Sequence, residues 1–181
     1  MTVMRLLFCR QSPAVKGIMS ISISVQAKDF DLGAEYDRLR SIGDGLGAIV
    51  TFTGLVRDFE SRPEEPQYSR KLTTLTLQHY PEMTERLLSD IVEQALTRWS
   101  LLGVTVIHRI GSLSPNDQIV LVGVASTHRH DAFQAAEFVM DYLKTRATFW
   151  KKAHVDGQEQ WLDAKHSDAN AAARWDDIKH D

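Results

Sequence analysis

The sequence predicts an α+β fold with largely antiparallel sheets. Apolar residues repeat with a period of two in several short stretches and of three to four in three longer ones, in the order β-α-β-β-α-β-β-α-β. Consecutive strand-like stretches are joined by short turns, which favours antiparallel pairing over the helical crossovers of a doubly wound parallel sheet. The 181 residues, 43% hydrophobic and 25% charged, suit one domain with a proper core, read here as residues 19–175.

Residues 1–18 hold Arg5, Arg10 and Lys16, no acid, and a short apolar run from Leu6 to Cys9. That run is short for a secretory signal and no small-residue cleavage pattern follows it. These residues are therefore read as a poorly ordered leader, with Met19 an equally good start. Residues 20–26, SISISVQ, alternate Ile21, Ile23 and Val25 with polar neighbours and read as a strand. Leu32, Tyr36 and Leu39 make 31–41 a short helix. The GDGLG segment, with Gly43, Gly45 and Gly47, lacks a following Gly-Lys-Ser/Thr, so it reads as a loop entering a strand rather than a phosphate cradle.

Residues 48–57, AIVTFTGLVR, form a buried strand ending in Gly54 and Arg57. The polar, proline-rich stretch 58–70, DFESRPEEPQYSR, is expected to be a mobile surface loop. Residues 71–79 set Leu72, Leu75 and Leu77 among threonines and read as a strand antiparallel to the previous one. Pro81 opens a helix, as a first-turn proline can. Met83, Leu87, Ile91 and Ala95 are expected along its buried face, to about Trp99. Residues 103–110 read as a strand, 112–117 (SLSPND) as a turn and 118–125 as the next strand.

The chain is organised around 126–152, STHRHDAFQAAEFVMDYLKTRATFWKK. Ser126 and Thr127 are candidate N-caps, because a side-chain oxygen can accept a first-turn N–H. Phe133, Ala136, Met140, Leu143 and Ala147 recur along one helix face, with Gln134, Glu137, Asp141 and Lys144 on a neighbouring one. His128, Arg129 and His130 stand at the positive front end. Lys144, Arg146, Lys151 and Lys152, interleaved with Phe149 and Trp150, crowd the back. After a turn at Asp156-Gly157, residues 160–164 with Trp161 read as the last strand. The tail from Ser167 is expected to be helical and frayed, with 176–181 outside the domain.

Several function classes fall away. A net charge of −3 and the lack of a basic-aromatic stripe argue against a nucleic-acid binder. No apolar run approaches the roughly 20 residues that span a bilayer. Cys9 is the single cysteine, so there is no internal disulfide, which suits a reducing cytosol. The seven histidines are scattered apart from His128-x-His130 and no H-E-x-x-H occurs, so no metal site is expected. His108, in a strand, reads as a hydrogen-bonded core or interface group. There is no Gly-x-Ser-x-Gly elbow. Glu137 and Asp141, four apart, read as an exposed face rather than a catalytic pair.

What remains is a cationic constellation of Arg57, His128, Arg129, Lys144 and Lys151. Arginines offer planar forks for phosphate or carboxylate. Lysines in crowded positive charge and partial burial have a lowered pKa, and can then serve as base or nucleophile. Together these residues suit an anion-handling site. Arg129 and Lys144 lie fifteen residues apart, about 22 Å on a continuous helix. Either only one end is functional, or two copies of the chain bring opposite ends together.

At this point the sequence resembles the MoaE family, the large catalytic subunits of molybdopterin synthase. TFTGLVR (51–57), LTLQHYPEMTE (75–85), VTVIHRIG (104–111), VGVASTHRHDAF (122–133) and MDYLKTRATFWKK (140–152) carry the resemblance, in order, over about residues 21–175. It implies an α/β-hammerhead fold and a homodimer flanked by two small ubiquitin-like sulfur carriers, a heterotetramer. The carrier's Gly-Gly C-terminus, as a thiocarboxylate, would deliver two sulfurs in turn to cyclic pyranopterin monophosphate, giving the dithiolene of molybdopterin. It implies no cofactor, no metal, no nucleic acid and no membrane, and a cytoplasmic enzyme. By the same resemblance Lys144 and Lys151 are catalytic, and Arg57, His128, Arg129, Lys152 and Lys165 bind substrate. This chain departs from the family at Leu55, often lysine, and at Thr148, often proline. The 58–70 stretch is longer, and Lys165 stands where some relatives have arginine. The competing reading is a binding module that docks a ubiquitin-like tail or a phosphorylated ligand without turnover.

Overall fold

The computed structural model describes residues 19–62, 65–155, 157–162 and 171–175; residues 1–18, expected to be a leader, and residues 176–181 lie outside the described residues. In chain order the elements are β1 (Ser20–Gln26), α1 (Leu32–Arg40), β2 (Ala48–Leu55), β3 (Phe59–Arg62), β4 (Glu65–His79), α2 (Pro81–Arg98), β5 (Leu101–Arg109), β6 (Gly111–Leu113), β7 (Gln118–Ser126), α3 (Arg129–Thr145), β8 (Phe149–Val155) and β9 (Gln158–Leu162). The class is α+β, as expected. Every described strand pairing but the parallel β1–β5 is antiparallel.

The strands make two sheets. Sheet one has the order β1-β5-β7-β2; sheet two runs β3-β4-β8-β9, with β6 also on β4. β5, LLGVTVIHR, is buried along its whole length, which explains its almost unbroken apolar run. One face of sheet one, with Val104, Val106, Val122 and Val124, packs against α2 and α3 in the main core. α1 crosses the opposite face. The helix and the turn after it come so close that a Cβ on Gly123 would lie 2.7 Å from Leu39 of α1, and one on Gly103 would lie 2.4 Å from Ile42 just beyond it. Sheet two builds a smaller core from Val56, Leu72, Leu75, Leu77, Leu113, Ala153 and Val155.

Four expectations are corrected. The 58–70 loop is instead β3 and the start of β4, an antiparallel hairpin with Phe59 opposite Lys71. β4 does not pair with β2: it belongs to sheet two, because the chain leaves sheet one after β2. The SLSPND turn is shorter than expected, since Ser112 and Leu113 pair with β4 first. The last helix ends at Thr145, and Phe149–Val155 is a strand. Three helices and nine strands are thus described where six strands were expected.

Helix faces are also rotated. In α2 the buried line is Thr84, Leu88, Ile91, Val92 and Ala95, leaving Met83 49% exposed. In α3 it is Ala132, Ala135, Ala136, Phe138, Val139, Tyr142 and Leu143, with Phe133 63% exposed. The α3 N-cap is His128, without a side-chain cap bond. Ser126 Oγ instead donates to the Ser100 carbonyl and accepts from the His128 N–H at 3.3 Å.

The tail is not frayed where it is described. Trp175 is 2% exposed and meets Phe138 and Trp99 edge-on. Its Nε1–H donates to Asp141 Oδ2 at 2.8 Å, and the Arg98 guanidinium donates to its carbonyl at 3.0 Å. Arg174 reaches both Glu137 and Asp141 at 2.7 Å. The acidic pair on α3 thus clasps the tail: Glu137 stays exposed, as expected, while the Asp141 side chain is largely covered. Trp175→Ala removes a buried ring from the core and is expected to cost about 3–5 kcal/mol. Trp175→Phe, losing mainly the Nε1–H bond, should cost about 1 kcal/mol. Urea unfolding of the two variants checks the order.

Candidate functional site

β8 sets the geometry. Side chains alternate along a strand, so Phe149, Lys151, Ala153 and Val155 share one side of FWKKAHV, and Trp150, Lys152 and His154 share the other. Ala153 and Val155 enter the sheet-two core. Lys151, opposite Leu77 on β4 and Leu162 on β9, stands on that same side but exposed. Lys152 projects from the opposite side. Its ammonium pairs with Glu159 and lies 5.7 Å from the centre of the Trp161 ring. That hydrogen bond holds the Glu159 carboxyl below its usual range.

Lys144 lies exposed in the last turn of α3. Three residues earlier, Asp141 is held by Arg174 and Trp175. The connection from α3 to β8 is tied down. The Arg146 guanidinium lies 3.7 Å over the Tyr142 ring and donates to Gln94 at 3.3 Å. Thr84, fully buried at the start of α2, brings its hydroxyl within 3.4 Å of both the carbonyl and the hydroxyl of Thr148. A threonine here thus gains a fastening that proline, lacking a hydroxyl, does not offer. Lys144 and Lys151 flank this short connection.

Beneath the start of β8 lies a group that sequence reasoning left in the core. His108, at the end of β5, is 4% exposed and stacks flat on Phe149, with centroids 3.6 Å apart and planes 11° from parallel. Its Nδ1 is 2.8 Å from the Arg109 carbonyl, which only accepts, so Nδ1 carries the proton. Burial, helped by the positive charge of Lys151 and by His79, lowers the His108 pKa to about 4 against the pull of the Arg109 carbonyl. The folded value lies below the unfolded one. The unfolded chain therefore binds the extra proton between about pH 6.5 and 4, and stability falls as pH drops through that window. The loss should be on the order of 3 kcal/mol. Urea unfolding against pH measures it, and His108→Phe should flatten the slope.

Arg57 is exposed and follows Val56, where the chain passes from sheet one to the sheet-two core. Val56 donates to the Asp117 carbonyl at 2.9 Å and accepts from Asn116 at 2.8 Å, which anchors the crossing. His128 and Arg129 are exposed at the front of α3. One continuous helix separates them from Lys144 by about 22 Å, so a single chain does not gather them round one small molecule. Lys165 lies outside the described residues. Among the described residues no group of three or more His, Cys, Asp or Glu could hold a metal ion, and no helix is long and apolar enough to cross a membrane.

Residues 25–146 match the profile of the family described as MoaE protein. The chain belongs to the MoaE family. It is 49% identical over 153 residues to the molybdopterin synthase catalytic subunit of Escherichia coli K12, covering 84% of this chain and 97% of the relative. It is 48% identical over 154 residues to that of Ralstonia nicotianae, covering 85% of this chain and 84% of the relative. Among solved structures it is similar to the molybdopterin biosynthesis MoaE protein of Burkholderia ambifaria, with a TM-score of 0.70, 44% identity and coverage of 85% and 97%. The molybdopterin synthase of Staphylococcus aureus gives a TM-score of 0.66 at 28% identity, covering 77% and 95%. The α+β architecture with antiparallel-dominated sheets is that of the MoaE family. The sequence places Phe149 among the lysines but gives no sign that His108, far away in the chain, lies against it. The alternation in FWKKAHV was the available signal for β8.

Proposed function

We propose that this chain is the catalytic subunit of a molybdopterin synthase. It takes sulfur from the thiocarboxylated Gly-Gly terminus of a ubiquitin-like carrier and builds the dithiolene on cyclic pyranopterin monophosphate, in the cytoplasm. Support comes from near-half identity, across most of the chain, to relatives named as catalytic subunits. The observation that carries the reading is a pair of amines, Lys144 and Lys151, on either side of the tied α3–β8 connection.

The chemistry suits those groups. The donor is an anionic thiocarboxylate and the acceptor carries a phosphate, so both need cationic partners. Each transfer forms a carbon–sulfur bond on the acceptor as a carbon–oxygen bond there breaks, its oxygen leaving as water or staying on the phosphate. The carrier's acyl–sulfur bond breaks, and water supplies the oxygen that returns the carrier as a carboxylate. An amine at Lys144 or Lys151 can move the protons or attack the acyl carbon. Arg57 is assigned a fork to the anionic substrate. His128 and Arg129 are assigned to the pocket of a second subunit in a homodimer, itself flanked by two carriers. Lys152, already paired with Glu159, is assigned a weaker contact at the rim, and Lys165 a substrate contact.

Incubation with thiocarboxylated carrier and cyclic pyranopterin monophosphate tests the reading. The expected result is molybdopterin formation. A complex with the carrier that yields no product supports the binding-module alternative instead.

A further inference from the structure

Lys151 stands two residues from Phe149 on the same side of β8, and Phe149 ties that strand to sheet one. Its ring lies flat on His108 of β5, 3.6 Å between centroids, and His79, its cross-strand partner on β4, is 6.3 Å away. The Nδ1–H bond to the Arg109 carbonyl fixes the plane of the imidazole. Burial disfavours a charge on that ring. The surface under Phe149 is therefore flat, neutral and held in place.

We propose that His108 is a positioning residue for sulfur transfer: acting through Phe149, it fixes the start of β8 and with it where the Lys151 amine stands. This rests on the reading of Lys151 as a reacting amine. The groups whose charge reaches this point are Lys151 on β8, His79 on β4 and His108 itself on β5. A leucine at 108 would fill similar space, but it offers neither the flat face nor the donor for Arg109. Phenylalanine keeps the face and loses only the donor. A displacement on the order of 1 Å at a reacting group can cost up to about a hundredfold in rate. The stack therefore has leverage on turnover without touching substrate.

Two readouts on the full-length protein test this. Competitive acetylation of folded enzyme with acetic anhydride, read by mass spectrometry with the exposed Lys71 as internal reference, reports the Lys151 environment without any substrate. Sulfur-transfer kinetics on the carrier complex report its consequence. His108→Leu should change Lys151 labelling relative to Lys71 by about threefold or more and lower kcat about tenfold with KM little altered. His108→Phe should recover most of both losses. Phe149→Leu removes the same stack from its other member and should repeat the His108→Leu result, which keeps the comparison available if His108→Leu does not fold.

Wild-type labelling and kcat in a folded His108→Leu or Phe149→Leu protein overturn the proposal. So does a His108→Phe protein as impaired as His108→Leu, since the ring stack would then not be the cause. Changed labelling together with full activity in Lys151→Ala separates the two ideas: the positioning stands, and the role of Lys151 in turnover falls.

Discussion

Lys144→Ala and Lys151→Ala are each expected to lower the rate of sulfur transfer by about 10²–10⁴-fold, the range for losing a positioned acid–base group. The fold should survive both changes. Lys144 is exposed in the last turn of α3, where a cation contributes only about 0.3–1 kcal/mol to the helix. Lys151 is exposed on β8, while Ala153 and Val155 do the packing. Arginine replacements divide charge from chemistry. Arginine keeps the positive charge but cannot give up its proton near neutral pH. If the amines act as bases or nucleophiles, Lys144→Arg and Lys151→Arg stay as slow as the alanine variants. Recovery by arginine would reduce both residues to anion binding. Lys152→Ala serves as the internal comparison: its ammonium is paired with Glu159 on the other side of β8, and the expected loss is only about threefold, the scale of an exposed pair.

A mixture of Arg129→Ala and Lys144→Ala chains, each inactive alone, is expected to regain about a quarter of the wild-type rate. The reason is helix length. Arg129 and Lys144 sit on one continuous helix, Arg129–Thr145, about 22 Å apart. A pocket needing both must take them from different subunits. Random pairing makes half of the dimers mixed, and each mixed dimer holds one pocket with both groups intact and one with neither. If each subunit instead used its own two groups, every pocket would lack one of them. Co-purification of differently tagged chains followed by a rate measurement decides between the two, and no recovery at all counts against sharing.

The parts of this chain that were legible in sequence are those where one local signal acts alone. SISISVQ alternates cleanly and is β1; Pro81 marks the start of α2; the apolar run of β5 reflects burial on both faces. The parts that were not legible had two signals in conflict. Prolines and charges made 58–70 look like a loop, yet a hairpin at a sheet edge tolerates both. Ala147 fell on the helical repeat of α3 and carried that reading past the true end at Thr145, hiding the alternation that begins at Phe149. Met83 was expected in the core in place of Thr84, because hydrophobicity cannot foresee a hydroxyl buried against Thr148. Trp175 was passed over because its partners Asp141, Phe138 and Trp99 lie on elements far from the tail in sequence. At the site, residue types point to anion handling, and the helix length leaves either one functional end or two copies of the chain. The His108–Phe149 stack, formed between strands of different sheets, left no mark in any local pattern.

The most direct measurement follows the sulfur itself. The carrier is loaded with a thiocarboxylate bearing a heavy sulfur isotope and mixed with cyclic pyranopterin monophosphate and the wild-type or Lys144→Ala chain, and both carrier and pterin are weighed by mass spectrometry. The predicted result is heavy sulfur in the pterin and a carboxylate on the carrier with wild type, and neither with Lys144→Ala. Label that stays on the carrier with wild type, or that moves equally well with Lys144→Ala, would contradict it.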